Sequence, residues 1–249
     1  MGFGAQRLAD TNFLGLVTAQ ELLTKNAVFG FLNLRYEPSE AARWADLFAA
    51  RVIPGSTHGA LRHGLKQGLA WCPKCLELDL TRRGYGDWRV LHQLPFMSRC
   101  PVHRRHLLVS CRSCGLALDS GQGFRLPGDS CSNCGSTDFS AVGGPDSEMY
   151  FGLLREVRRI FASQSDDYRP SGWGKYCQSV FGSKGVSEME SRAIMADFRR
   201  KFQRGVFPFI QASIVGEIDT RRIFRLLRGD CKSDPLLLAI AVRSVIDAS

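Results

Sequence analysis

The chain has 249 residues, a formal net charge of +9 and a hydrophobic content of 44%. This length exceeds one typical domain and the apolar content is sufficient for packed cores, so two or three small modules are expected. The most apolar stretch, Leu236–Val242, is too short to span a membrane and is interpreted as a buried helix. No signal peptide is recognisable at the start, which favours a cytoplasmic protein.

Residues 1–68 are predicted to form a short helical module. The segment Leu16–Leu23 carries a capping-box pattern, and Pro38–Val52 places apolar residues at approximately helical spacing. The glycine-rich segment Gly55–Gly68 predicts a connector into the next region.

Four dyads of potential metal ligands follow in the region 69–142, each with two residues between its members. They are Cys72-Pro-Lys-Cys75, Cys100-Pro-Val-His103, Cys111-Arg-Ser-Cys114 and Cys131-Ser-Asn-Cys134. The first two dyads enclose 24 residues and the last two enclose 16, which is typical of structural zinc sites. Because a CxxC turn directs two thiolates at one point, a second dyad completes a tetrahedron. The sequence therefore predicts two zinc ions, each closed by four protein ligands.

Other interpretations of these residue types stay open. Disulfides are disfavoured by the odd count of nine cysteines and by the CxxC spacing. His106 could replace His103 as the fourth ligand of the first site. His92, in the loop between the first two dyads, could activate water as in a zinc-supported nuclease, although no acidic cluster accompanies it. Cys177 and Cys231 lie outside every dyad and are interpreted as buried thiols.

Regular structure around the dyads is expected to be limited. The region Trp71–Phe139 shows little helical periodicity and many turns, which predicts small β-hairpins attached to the metal sites. Gly115 and Gly135 each follow a CxxC dyad and can supply the positive φ angle of such a turn. The sequence Gly143-Gly144-Pro145 marks the boundary to the next module.

Residues 146–249 are predicted to form a helical domain. An apolar stripe begins after Glu148, and further helices are expected at Glu188–Gln203, at Thr220–Leu227 and from Asp234 to about Asp247. Short helices with short connections suit a helix-turn-helix module, and they suit any small helical bundle equally well. The predicted fold class is therefore mainly α with small zinc-ribbon β-hairpins.

Metal binding changes the charge balance of the chain. Seven thiolates and two dications lower the net charge by three, to about +6. A basic surface of this size suits nucleic acid, although ordinary solubility charge explains it as well. The candidate DNA- or partner-binding residues are arginines of the metal region and of one C-terminal helix: Arg82, Arg83, Arg104, Arg105, Arg221, Arg222 and Arg225.

Three motifs follow one another between Trp71 and Gly115. Cys72-Pro73-Lys74-Cys75 precedes Arg89-Val90-Leu91-His92-Gln93-Leu94-Pro95, which precedes Cys100-Pro101-Val102-His103. A CPxC dyad, an arginine before HQLP and a CPxH dyad in this order resemble the signature of the TniQ/TnsD family of transposon target-selection proteins. Phe96-Met97 stands where that family usually has Gly-Val.

The resemblance implies a non-enzymatic adaptor of bacterial DNA transposition. Such proteins join a zinc region to helical DNA-binding modules, mark an insertion site and recruit an AAA+ ATPase of the TnsC type. Some relatives read DNA directly and others dock on an RNA-guided CRISPR effector complex, so both routes stay open, as does a homodimer. Two alternatives are a protein-interaction scaffold without DNA contact and a zinc-supported nuclease.

His92 and Gln93 of the signature are interpreted as polar residues that hold the long loop in place, the alternative being that they face a partner.

Overall fold

The computed structural model describes residues 36–49, 69–118, 126–163, 166–202, 205–212, 217–229 and 236–248. The predicted helix Leu16–Leu23, the connector Gly55–Gly68 and Cys231 lie outside these residues, as do the side chains of 44–49.

Helices dominate the described part of the chain. They are α1 (Pro38–Ala49), α2 (Pro73–Arg83), α3 (Glu148–Ser163), α4 (Pro170–Phe181), α5 (Glu188–Lys201), α6 (Val206–Ala212), α7 (Thr220–Leu227) and α8 (Leu236–Ile246). Two strands, β1 (Leu108–Cys111) and β2 (Phe139–Ala141), and 3-10 turns at Val90–Gln93 and Asp166–Tyr168 accompany them. The predicted fold class, mainly α with small β elements around two cysteine clusters, is confirmed.

Helix α2 corrects the expectation that small hairpins account for the metal region. It begins with Pro73, whose fixed φ angle suits the first helical position, and it ends at Gly84, which has a φ of 77°. The apolar residues of α2 alternate with polar ones, as in a strand, and this alternation hides the helix from a periodicity argument. The alternating residues are Leu76, Leu78 and Leu80.

A small two-stranded antiparallel sheet joins the two metal-binding regions. Leu108 pairs with Ala141 and Cys111 pairs with Phe139 across β1 and β2. An isolated antiparallel bridge adds Trp71 beside Leu108. Because Trp71 directly precedes the first dyad and β1 ends in the third, this sheet fixes the two regions side by side.

Two C-terminal helices begin at the predicted residues, Glu188 and Thr220, and each follows a capping residue. Helix α5 starts after Ser187, which exchanges capping-box hydrogen bonds with Glu190. Helix α7 starts after Asp219, whose carboxylate accepts a 2.7 Å hydrogen bond from the Arg222 backbone N–H.

Helices α4 and α6 were not predicted. Helix α4 contains two glycines and two serines, which disfavour a helix locally, so packing around the buried Trp173 stabilises it instead. Helix α6 begins at Val206, directly after the expected stop at Gly205, and accommodates Pro208 in its first turn.

Helix α8 is buried along Leu236–Val242, as predicted, and packs against α3 and α5. Among the helices that the structure describes, none has the length and apolar character needed to cross a membrane.

One hydrophobic core joins the first metal-binding region to the C-terminal helices. It contains Leu94, Met97 and Leu107 of the metal region together with the apolar faces of α3, α5, α7 and α8. The indole Nε1 of Trp173 donates a 2.7 Å hydrogen bond to the Leu226 carbonyl within this core, which fixes α4 against α7.

Candidate metal centres

The first cluster combines the N-terminus of α2 with a tight turn. Cys72 directly precedes α2 and Cys75 lies in its first turn. Cys100 and His103 lie in a turn closed by a 2.9 Å hydrogen bond from the Arg104 N–H to the Cys100 carbonyl. Arg104 adopts a left-handed φ of 58°, at the position where the second cluster has glycine.

The ligand atoms of this cluster have the spacing of a tetrahedral metal site. The Sγ atoms of Cys75 and Cys100 are 3.7 Å apart. The Nδ1 atom of His103 lies 3.6 Å from the Sγ of Cys72, 3.3 Å from that of Cys75 and 3.6 Å from that of Cys100. Bonds of about 2.3 Å to sulfur and about 2.0 Å to nitrogen place the ligands of tetrahedral zinc about 3.5 to 3.8 Å apart. The four residues therefore fit one such ion.

The second cluster is built from two turns of the same kind. The N–H of Gly115 bonds to the Cys111 carbonyl at 2.9 Å, and the N–H of Gly135 bonds to the Cys131 carbonyl at 2.8 Å. Both glycines have a φ of 73°, the positive angle that the sequence predicts for them. Each turn thus presents its two thiols on one side.

The second set of sulfur atoms also fits a metal ion and excludes disulfides. Sγ atoms lie 3.5 Å apart between Cys111 and Cys134, and 3.6 Å apart between Cys114 and Cys131. A disulfide requires about 2.0 Å, and the seven cysteines of the two clusters form no disulfide. Within each cluster the four ligand atoms lie within 4.8 Å of one another. Two groups of cysteine and histidine residues can therefore hold metal ions.

The two alternative histidines lie outside these groups. The Nδ1 atom of His106 lies 3.0 Å from the carbonyl oxygen of Val142, so the geometry selects His103 for the first cluster. His92 is 2% exposed and belongs to neither group of potential ligands among the described residues.

Hydrogen bonds lower the pKa of at least one thiol in each cluster. The backbone of Leu116 and the side chain of Asn133 lower the pKa of Cys114 to about 6. In the first cluster, hydrogen bonds with Cys100 and Cys75 lower the pKa of Cys72. Since the thiolate is the form that binds metal, each cluster offers a ready first ligand.

A buried carboxylate, which the sequence reasoning missed, anchors the loop of the signature motif. Asp79 lies one turn beyond Cys75 on α2 and is 4% exposed. Its Oδ1 atom accepts hydrogen bonds from Arg83 at 2.8 Å and from Arg89 at 2.7 Å. The sequence contained one signal for this residue, because Asp79 lies four positions after Cys75. This spacing places both side chains on one face only if the segment is helical.

Gln93 holds the same loop on the other side of the first dyad. Its Nε2 atom donates to the Ala70 carbonyl at 2.8 Å, and its Oε1 atom accepts from the Ala70 N–H at 2.9 Å. The side chain therefore pairs with the backbone two residues before Cys72, which supports the structural interpretation of Gln93. Arg89 and Gln93 together fasten the loop to both flanks of the CPxC dyad.

The second dyad is joined to the start of α3. The Tyr150 hydroxyl accepts from the Ser98 N–H at 3.0 Å and donates to the Phe96 carbonyl at 2.8 Å. Arg99 donates to the Pro145 carbonyl at 3.0 Å, and Arg104 forms two hydrogen bonds to the Glu148 carboxylate. The first metal cluster is thus continuous with the helical region.

The predicted basic residues have different surroundings. Arg83 and Arg104 are exposed but paired with carboxylates. Arg222 is 8% exposed, and its guanidinium donates to the Glu217 carbonyl at 3.3 Å, so as a surface contact this residue was a wrong choice. The remaining four are exposed, and no ion pair involves them in the described part of the chain: Arg82, Arg105, Arg221 and Arg225.

Comparison with known proteins bears on this arrangement. The TniQ family model matches residues 6–107, a span that contains both dyads of the first cluster and the loop fastened by Asp79 and Gln93. A search of curated proteins gives no match. Over residues 6–107, the chain is similar to the TniQ family.

Proposed function

We propose that this chain is a non-enzymatic adaptor that selects target sites for DNA transposition and recruits an AAA+ ATPase of the TnsC type. The similarity of residues 6–107 to the TniQ family supports a transposition-associated role. The observation that supports this proposal is the first cluster, in which the signature residues bring four potential metal ligands together and their loop is fastened on both sides. A loop held in this way gives the chain a rigid surface with which to recognise a partner.

Both clusters are proposed to hold zinc in a structural role. The ligands would be Cys72, Cys75, Cys100 and His103 in the first site, and Cys111, Cys114, Cys131 and Cys134 in the second. Thiolate-rich tetrahedral sets favour zinc, and four protein ligands leave no position for a reactive water. Zinc would supply cross-links between loops that carry little regular structure. The burial of His92 away from the ligands gives the nuclease alternative no support.

The proposed partners are target DNA, reached directly or through a DNA-bound complex such as a CRISPR effector, and the ATPase. The exposed arginines without ion pairs supply positive charge for such contacts. The division into modules 1–68, 69–142 and 146–249, the bacterial cytoplasm as the location and a homodimeric state are parts of the same proposal.

A scaffold that never touches DNA is the second candidate. It is favoured by one observation: several arginines around the first cluster are engaged by carboxylates, which reduces the charge available to phosphates there.

A capture experiment separates the two candidates. The full chain is passed over an immobilised TnsC-type ATPase, with and without a DNA duplex. The adaptor proposal expects capture that DNA strengthens, whereas the scaffold expects equal capture in both arms and no DNA binding. Absence of capture in both arms, together with no change in the sites of transposon insertion when the gene is deleted, would contradict both. Cys177→Ser, a buried cysteine outside both clusters, serves as the control variant.

A further inference from the structure

Helix α7 presents a row of arginines on its exposed face. Arg221 and Arg225 lie on α7, and Arg228 is the residue directly after its end. The intervals of four and three residues place all three on one side. All three are exposed, whereas the opposite face of α7 is buried against the core. Two helical turns separate the first from the last, which is a distance of about 10 Å.

These arginines differ from most other arginines in the described part of the chain, because no described carboxylate forms an ion pair with them. Two arginines of α5 show the usual case: Arg192 pairs with Glu188 at 2.6 Å, and Arg200 pairs with Asp197 at 2.7 Å. In the described part of the chain, no ion pair involves Arg221, Arg225 or Arg228. The guanidinium of Arg228 lies over the ring of Phe224, 5.3 Å from its centroid, which orders this side chain.

The helix that carries this row is firmly held. Asp219 caps its N-terminus, and the buried Arg222 bonds back to the Glu217 carbonyl. At the other end, the Leu226 carbonyl accepts the hydrogen bond from Trp173. Because the support is rigid, binding a partner costs little ordering of the backbone.

The chemistry of this face favours a phosphate backbone over a protein surface. Protein interfaces have an apolar centre surrounded by polar residues, but the only large apolar side chain among these arginines, Phe224, is half-buried. Guanidinium groups bind phosphates through paired hydrogen bonds, and duplex DNA presents one negative charge per about 1.7 Å of its axis. Three unneutralised charges in a row match such a target.

We propose that the Arg221, Arg225 and Arg228 face of α7 binds the phosphate backbone of duplex DNA, and that the carboxylate-paired arginines of the first metal cluster do not. The inference rests on the proposed adaptor function and identifies which surface reaches DNA. It assigns no base-reading role to the helix.

The test compares two double variants of the full chain that remove the same charge. Arg221→Ala/Arg225→Ala removes two of the proposed contacts, and Arg192→Ala/Arg200→Ala removes two exposed arginines of α5 that are already paired. Binding to a fluorescein-labelled DNA duplex of mixed sequence is measured by anisotropy between about 50 and 200 mM salt. Each lost phosphate contact lowers the slope of log K against log salt by about 0.9, so the α7 variant is expected to lose about 1.8 and the α5 variant much less.

Controls keep the outcomes separable. Arg221→Lys/Arg225→Lys retains the charge and is expected to retain the slope, and far-UV circular dichroism checks that each variant is folded. Equal slopes for the α7 and α5 alanine variants would overturn the inference. So would an α7 variant that binds DNA normally but loses the ATPase, because the face would then belong to a protein partner.

A wild-type chain that binds no DNA at low salt, yet is captured by the ATPase together with a DNA-bound complex, would overturn the inference and leave the adaptor proposal standing. Failure of capture in every arm would instead remove the adaptor proposal.

Discussion

In the first metal cluster the three cysteines are buried in the same core as the C-terminal helices, whereas in the second cluster two of the four cysteines, Cys114 and Cys134, are exposed. The second cluster packs on a much smaller apolar group, in which Trp71 meets Phe139 edge to face at 5.8 Å. Similar ligand geometry therefore serves two purposes. The first cluster is part of a core that has apolar support of its own, so a metal ion in the second cluster is expected to contribute more to the order of its turns.

The largest contrast is expected from removing each metal in turn. Cys72→Ser/Cys75→Ser should reduce bound zinc from two ions to one and destabilise the C-terminal helices, because the first cluster shares their core. Cys114→Ser/Cys134→Ser should also leave one ion but keep those helices folded. Metal analysis combined with thermal unfolding followed by circular dichroism measures both effects. Identical unfolding curves for the two variants would show that the clusters are equivalent.

Chelation of the wild-type protein is expected to release the two metals at different rates. The second cluster should release its ion about a hundred-fold faster than the first, because its exposed thiolates admit the chelator without opening of the core. Release is followed with a coloured zinc indicator in excess chelator. The Cys114→Ser/Cys134→Ser variant identifies the phases, because it should show only the slow one. A single phase in the wild type would argue against the difference in burial.

The loop clamp offers a smaller test within the first region. Asp79→Asn keeps the shape of the side chain but removes the charge that Arg83 and Arg89 share, which is expected to cost about 2 kcal/mol of unfolding free energy. Release of the first metal should become faster, while the second is unaffected. Asp87→Asn is the matched control. The Asp87 carboxylate is exposed, and its ion pair with Arg83, at 3.5 Å, lies at the surface. An equal cost for both variants would contradict the role of Asp79 as an anchor.

The smallest effect is expected at the joint between the metal region and α3. Tyr150→Phe removes the hydroxyl that bonds to the buried Ser98 N–H and to the Phe96 carbonyl, which is expected to cost about 1 to 2 kcal/mol of unfolding free energy. Tyr176→Phe is the control, because its hydroxyl bonds to Asp247 at the surface and should matter less. Chemical denaturation provides both free energies. A Tyr150 variant as stable as the wild type would indicate that the two regions are only loosely joined.

The ligand sets could be predicted from the sequence because a dyad is a local feature. Two cysteines separated by two residues converge whatever the surrounding fold, and the glycines after the later dyads announce the turn. The cap of α5 was equally local, since Ser187 and Glu190 interact within one turn. Features that depend on three or four neighbouring residues are therefore readable without the structure.

What was missed depends on distant contacts or on helix register. Helix α4 is stabilised by the packing of Trp173 against α7, which its own glycine-containing sequence does not indicate. Arg222 was grouped with its exposed neighbours, because a run of arginines does not reveal which one faces the core until the phase of the helix is known. Asp79 was missed for the related reason that α2 resembles a strand.

The hydrogen bonds between Tyr150 and the loop of Ser98 limit how the gene can be divided for experiments. A fragment ending near residue 145 would leave Leu94, Met97 and Leu107 facing water. A fragment beginning there would expose the apolar faces of the C-terminal helices that belong to the same core. Either product should aggregate more readily than the intact chain, because both halves of an apolar contact would be exposed. Residues of the first cluster and helix α3 should therefore stay on one polypeptide in any expressed fragment.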